Sequence, residues 1–192
     1  FTTPFQLSTL DGINGFAIDG INTGDRAGVT VSGTGDVNGD NINDLIVGAP
    51  EASPNGDSSG QSYVVYGRTD GFTHPLKLSS LNGTNGFILN GANTFDRAGS
   101  LVSGAGDLNG DGIDDLLIGG VRGNTYSLYP NGDASGLVYV VFGNSQGFPN
   151  PIELSTLDGN NGFVFDIVGL NPNDPDLNYT NRQVSRLASG AG

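Results

Sequence analysis

The sequence has 192 residues, 33 of them glycine, with 20 acidic against 7 basic side chains and a formal net charge of −13. That charge opposes phosphate backbones and anionic lipid surfaces, which sets nucleic acid and membrane insertion aside as partners and leaves divalent cations as the better match. There is no cysteine to form a disulfide, and no apolar run approaches the ~18 residues of a membrane span. Heavy use of Gly, Asn, Ser, Thr and Asp predicts short strands and tight turns rather than long helices. The sequence opens at Phe1 without a signal-peptide pattern, and this is read as a processed or excised start.

In chain order, one segment is written three times: "FQLSTLDGINGFAIDG", "LKLSSLNGTNGFILNG" and "IELSTLDGNNGFVFDI", with Phe16 and Phe87 71 residues apart and Phe87 and Phe163 76 apart. A second segment, "SGTGDVNGDNINDLIVGAP", recurs as "SGAGDLNGDGIDDLLIGGV", and a third, "GQSYVVYG", as "GLVYVVFG". Self-similarity at a fixed period marks a repeat architecture. The predicted units are 1–71, 72–147 and a partial third, 148–192, whose final "SGAG" stops just before the aspartate that follows it in the earlier copies.

Within one unit of the repeat strands are expected around Ala27 to Ser32, Leu45 to Val47, Ser62 to Tyr66 and Phe87 to Leu89, bounded by Gly, Asn, Asp and Pro. Leu45, Ile46, Val47 and Tyr63, Val64, Val65 are apolar without alternation, the pattern of strands covered on both faces. A lone four-stranded sheet cannot cover both its faces. Stacked radially, such sheets cover one another, and the predicted fold is all-β, with β-propeller blades of four antiparallel strands: two full blades and part of a third. Separate sandwiches or a solenoid are the alternatives. A propeller closes with 4 to 8 blades, so further blades of the same chain, or other copies of it, are expected to complete the ring.

The second segment carries the chemistry. Counting Asp36 as position 1, Asp36, Asn38, Asp40 and Asp44 stand at positions 1, 3, 5 and 9, with the Ile42 carbonyl at 7; the second copy offers Asp107, Asn109, Asp111, Asp115 and the Ile113 carbonyl. Alternate side chains of a tight turn converge, and hard oxygen donors in that number suit calcium better than zinc or copper, giving two expected Ca2+ sites. Position 6 is Asn41 or Gly112, residue types that tolerate positive φ. An EF-hand would need a glutamate at position 12, where Val47 and Ile118 stand, and flanking helices. The reading is a calcium loop between two strands, against the plainer alternative of a metal-free Asx turn.

On these residues the chain resembles the FG-GAP repeat, the blade of integrin α-chain-like β-propellers, and in particular the tandem copies of bacterial surface and secreted proteins. "DVNGDNINDLIVGAP" followed by "GQSYVVYG" carries the resemblance, down to Gly48, Ala49 and Pro50; the second copy departs from it at Gly119, Gly120 and Val121, and the Phe-Gly half reads Ala27-Gly28 and Ala98-Gly99. The resemblance implies four-stranded blades, calcium on the loop between the first two strands and a ring commonly of seven blades.

Catalysis has little to rest on. The one histidine, His74, sits beside Pro75 and is expected in an exposed loop. Arg26 and Arg97, 71 residues apart, are expected to form structural ion pairs or carbonyl contacts. Insertions bring Arg122, Tyr126 and Tyr129 into the second unit and "NPNDPDLNYT" into the third; these are candidates for ligand or partner contact, since blade loops vary where partners bind. The functional expectation is a calcium-binding, non-enzymatic module for adhesion, recognition or structural assembly, extracellular, secreted or on the cell surface. A glycan-binding propeller lectin and a propeller-based hydrolase are the alternatives.

Overall fold

The structure is a computed structural model and describes residues 6–122 and 135–167. It is built from β-strands and three single-turn 3-10 helices: β1 (Ile18–Asp19), β2 (Thr30–Gly35), β3 (Asp44–Ala49), β4 (Gln61–Val65), β5 (Leu76–Lys77), β6 (Gly86–Asn90), β7 (Leu101–Gly106), β8 (Asp115–Arg122), β9 (Ser135–Val141), β10 (Ile152–Glu153) and β11 (Gly162–Ile167). The 3-10 turns Leu7–Thr9, Leu78–Ser80 and Leu154–Thr156 fall on the three copies of the Leu-Ser-Thr/Ser segment.

The strands form two principal sheets. The first has the order β10-β6-β4-β3-β2 and the second β11-β9-β8-β7. Four antiparallel strands in each, β2-β3-β4-β6 and β7-β8-β9-β11, repeat one another, with Ile46 opposite Val64 and Val64 opposite Phe87 in the first sheet and Leu117 opposite Val140 and Val140 opposite Phe163 in the second. Both first pairs carry the same irregularity, at Gly33/Gly35 and at Gly104/Gly106. All four strands expected of one repeat are present, as β2, β3, β4 and β6. The first starts at Thr30 rather than Ala27 because the preceding residues turn: Arg26 has φ 57 and the Val29 N–H donates back to the Arg26 carbonyl.

Two parallel pairings tie one unit to the next. Ile18 pairs with Leu76 in β1-β5, and Ile152 with Leu89 in β10-β6. Each is pinned by the residue before a cis proline: Nδ1 of His74 accepts the Ala17 N–H at 3.0 Å, and Oδ1 of Asn150 accepts the Ile88 N–H at 2.9 Å. His74 thus has a backbone-holding role. Glu153 adds two bonds, accepting from Nδ2 of Asn90 at 2.7 Å and from Nδ2 of Asn55 at 2.6 Å.

The core lies between the sheets. Ile46, Val64, Phe87 and Leu89 of the first meet Val102, Leu116, Ile118 and Tyr139 of the second. The opposite face of the first sheet, with Val47, Tyr63 and Val65, packs on Leu76, Leu78, Phe16 and Ile18. Burial on both sides explains the unbroken apolar runs in β3 and β4. The far face of the second sheet is open at Val121 and Phe165, while Val164, opposite Tyr139, is exposed on the other face. At the inner edge β2 lies against β7, closely enough that a Cβ on Gly104 would come within 2.7 Å of the Thr34 carbonyl oxygen, while Oγ1 of Thr30 donates to the Gly99 carbonyl at 2.8 Å.

Candidate metal-binding loops

The loop from Asp36 to Asp44 connects β2 to β3. Oδ1 of Asp36 accepts the N–H groups of Gly39 (2.8 Å) and Asp40 (3.0 Å), and its Oδ2 accepts that of Asn41 (2.6 Å). Asn38 Oδ1 takes the Asp40 N–H, and Asp40 Oδ1 the Ile42 N–H at 2.8 Å. Asn41, at position 6, has φ 66. Asp44 closes the loop from inside: its Oδ2 accepts from Val37 N–H (3.0 Å) and its Oδ1 from Gly67 N–H (2.8 Å), the latter on the strand-end beyond β4.

The loop from Asp107 to Asp115 repeats this bond for bond. Asp107 accepts from Gly110, Asp111 and Gly112; Asn109 accepts from Asp111, and Asp111 from Ile113. Asp115 accepts from Leu108 and Gly143 N–H, both at 2.8 Å, and Gly112 has φ 89. Every side chain expected to face an ion is therefore in the loop, with the Ile42 and Ile113 carbonyls between positions 5 and 9.

Their surroundings differ. The first loop lies on the second sheet: Oδ2 of Asp114 accepts the Asp36 N–H at 2.8 Å, the Asp114 N–H donates to the Asp36 carbonyl at 3.1 Å, and the Asn144 N–H donates to the Val37 carbonyl at 3.0 Å. Val37 is fully buried, whereas Leu108, its counterpart, is 54% exposed. A Cβ on Gly35 or Gly39 would meet Asp114 or Ser145, while Gly106 and Gly110 have open space beside them.

Burial pushes the Asp44 carboxyl up to about 6, and the charges of Asp40 and Asp36 push in the same direction; Asp115 is raised for the same leading reason, with Asp111 adding to it. Among the described residues no three His, Cys, Asp or Glu side chains converge as a ready-made metal cluster. The donor chemistry nonetheless fits a hard cation: each loop pairs three carboxylates with an amide and a main-chain carbonyl, all oxygen, and carboxylates that repel one another are what a divalent ion neutralises. A further buried polar atom belongs to a residue that shares the first loop's cavity. Tyr66, next to the Gly67 that bonds Asp44, is buried and its hydroxyl has no hydrogen-bond partner. It shares a cavity of about 700 Å³ with Asn38, Asp40 and Arg68. A cation bound by either loop would supply charge neutralisation and a fixed loop shape.

Arg26 and Arg97 do make ion pairs, and they share one acceptor: their guanidinium groups lie 3.8 and 3.6 Å from Oε1 of Glu51. The aspartates that precede them are taken up otherwise, Asp25 by Nδ2 of Asn22 and Asp96 by Asn93 and the Tyr139 hydroxyl. Arg122 ends β8; Tyr126, Tyr129 and the insertion at 171–180 lie outside the described residues. Sequence reasoning passed over Asp114, Glu51 and Tyr66. Only Tyr66 left a trace in the sequence, as the tyrosine that becomes Phe142 in an otherwise repeated segment.

Residues 27–65, from the turn before β2 to the end of β4, match the FG-GAP repeat. The chain is similar to integrin alpha pat-2 of Caenorhabditis briggsae, 33% identical over 119 residues, which make up 59% of this chain and 9% of that protein. It is similar to integrin alpha-IIb of Mus musculus, 32% identical over 137 residues, or 70% of this chain and 12% of the relative. It is also similar to phosphatidylinositol-glycan-specific phospholipase D of Rattus norvegicus, 35% identical over 118 residues, or 61% and 13%. The chain thus spans a small fraction of the length of these relatives. It carries an FG-GAP repeat and is integrin α-like in sequence.

Proposed function

We propose that this chain is part of a calcium-stabilised β-propeller that serves adhesion, recognition or assembly outside the cell and carries no catalytic centre of its own. The units 1–71, 72–147 and 148–192 are its successive repeats, and each four-stranded sheet is a blade. The observation that carries the reading is the duplication of the acidic loop, bond for bond, at the same strand junction of both sheets. Two carboxylate-rich turns built alike, each placing oxygen donors at positions 1, 3, 5, 7 and 9, match calcium chemistry. The ions would be held by Asp36, Asn38, Asp40, Asp44 and the Ile42 carbonyl, and by Asp107, Asn109, Asp111, Asp115 and the Ile113 carbonyl.

Support for the adhesive role comes from the relatives, most of them named as integrin alpha chains. No helix among the described residues is long and apolar enough to cross a membrane. The open face of the second sheet, with Phe165 and Val121 exposed, is where a further blade, from this chain or another copy, would stack.

Thermal unfolding in millimolar calcium and in chelator tests the reading. An ion at a hundred times its dissociation constant adds about 2.7 kcal/mol per site, so the midpoint rises by several degrees with calcium and the rise is lost in Asp40→Ala, Asp111→Ala double variants. An unchanged midpoint in the parent chain overturns it.

A further inference from the structure

The two loops share their internal bonds but not the side chain behind them. Behind the first stands Tyr66, and behind the second, 76 residues on, Phe142. Tyr66 is 8% exposed, packs at 5.9 Å on the Phe87 ring and sits in the core cluster beside Val37, the loop's own buried residue. Its backbone is fixed on both sides, by its own N–H to the Asn85 carbonyl and by the next N–H to Asp44. The ring is thus held in place, and its hydroxyl is buried without a hydrogen-bond partner.

A buried hydroxyl without a partner is costly, on the order of 1–3 kcal/mol, and it is retained where something completes it. The carboxylates of Asp44 and Asp40 are near enough for their charges to hold the phenol's proton on, beyond the larger effect of burial. Asp40, Asn38 and Tyr66 line one cavity. The corresponding cavity beside the second loop, about 550 Å³, is lined by Asn109, Asp111 and Phe142 and offers no hydroxyl at that place.

We propose that Tyr66 is a positioning residue for the first loop's divalent ion: its hydroxyl donates to the oxygen shell around the ion, and the second loop, with Phe142, has no such partner. The two sites are therefore unequal in affinity, the first being the tighter. This rests on reading the loops as ion sites.

Calcium titration by calorimetry separates the two. In Asp111→Ala only the first loop keeps its ligands, and in Asp40→Ala only the second. Adding Tyr66→Phe to the first background weakens calcium binding roughly tenfold, the worth of one hydrogen bond to a charged group; adding it to the second changes nothing. Phe142→Tyr in the second background tightens binding several-fold. In chelator, Tyr66→Phe melts at the parent temperature or above it, because it removes an unpartnered hydroxyl, whereas a merely structural tyrosine would lower the melting temperature in both conditions. Binding within about twofold of the parent in Tyr66→Phe, with both loops still taking up calcium, overturns this inference alone. If neither loop takes up calcium, the ion reading falls and takes this one with it.

Discussion

The loops at 36–44 and 107–115 have nearly the same sequence and the same internal hydrogen bonds, yet one is roofed by its neighbour and the other faces open space. Local shape follows from local residues: aspartate at position 1 gathers three N–H groups whatever lies outside. Burial is set by what stacks next to the loop. The first loop has the second sheet beside it, with Asp114, Asn144 and Ser145 in contact; no described residue plays that part for the second. A pair of copies inside one chain is therefore an internal control, and substitutions at matched positions should diverge by the amount the neighbour contributes.

The largest effect is expected at the ninth-position aspartates. In chelator, Asp44→Ala leaves the N–H groups of buried Val37 and of Gly67 without acceptors and costs about 3 kcal/mol in urea unfolding. Asp115→Ala costs about 2 kcal/mol, because water reaches the N–H of exposed Leu108. Equal losses would mean that the roof over the first loop contributes nothing. Next come the matched glycines of the inner strands. Gly104→Ala drives a Cβ into the Thr34 backbone and costs about 2 kcal/mol, whereas Gly33→Ala meets open space and stays within about 0.5 kcal/mol of the parent. The same unfolding measurement reads both.

The smallest difference lies at position 8. Asp114→Ala removes the acceptor of the Asp36 N–H and costs about 1 kcal/mol, with faster amide hydrogen exchange at Asp36 as its local signature. Asn43→Ala, the same substitution in the first loop, is expected to change stability by less than about 0.5 kcal/mol. Protection of the Asp36 amide that survives Asp114→Ala would remove the carboxylate from the contact between the loops.

Much of this was legible because it is local or periodic. The hydrogen-bonded turns of the two loops, the φ-tolerant residues Asn41 and Gly112 and the doubly covered β3 and β4 all follow from residues close together in sequence. The parallel pairs β1-β5 and β10-β6 were not legible, since two-residue strands are too short to show a period. Nor was Asp114 bonding Asp36 across 78 positions, which depends on how one sheet is set against the other. The arginines were half legible. An ion pair or a carbonyl contact was expected, and the shared partner Glu51 comes from a different turn, while Asn22 and Asn93 engage the neighbouring aspartates.

The last of the four antiparallel strands of the first sheet, β6, comes from the far side of residue 71, and β10, from later still, clasps it in parallel. Adjoining units are stitched like overlapping shingles, each hem sewn under the next. An engineer who cuts and splices whole cassettes at the sequence period would tear that seam, whereas a cut after Asn90 would carry the complete four-strand panel and lose only the clasp.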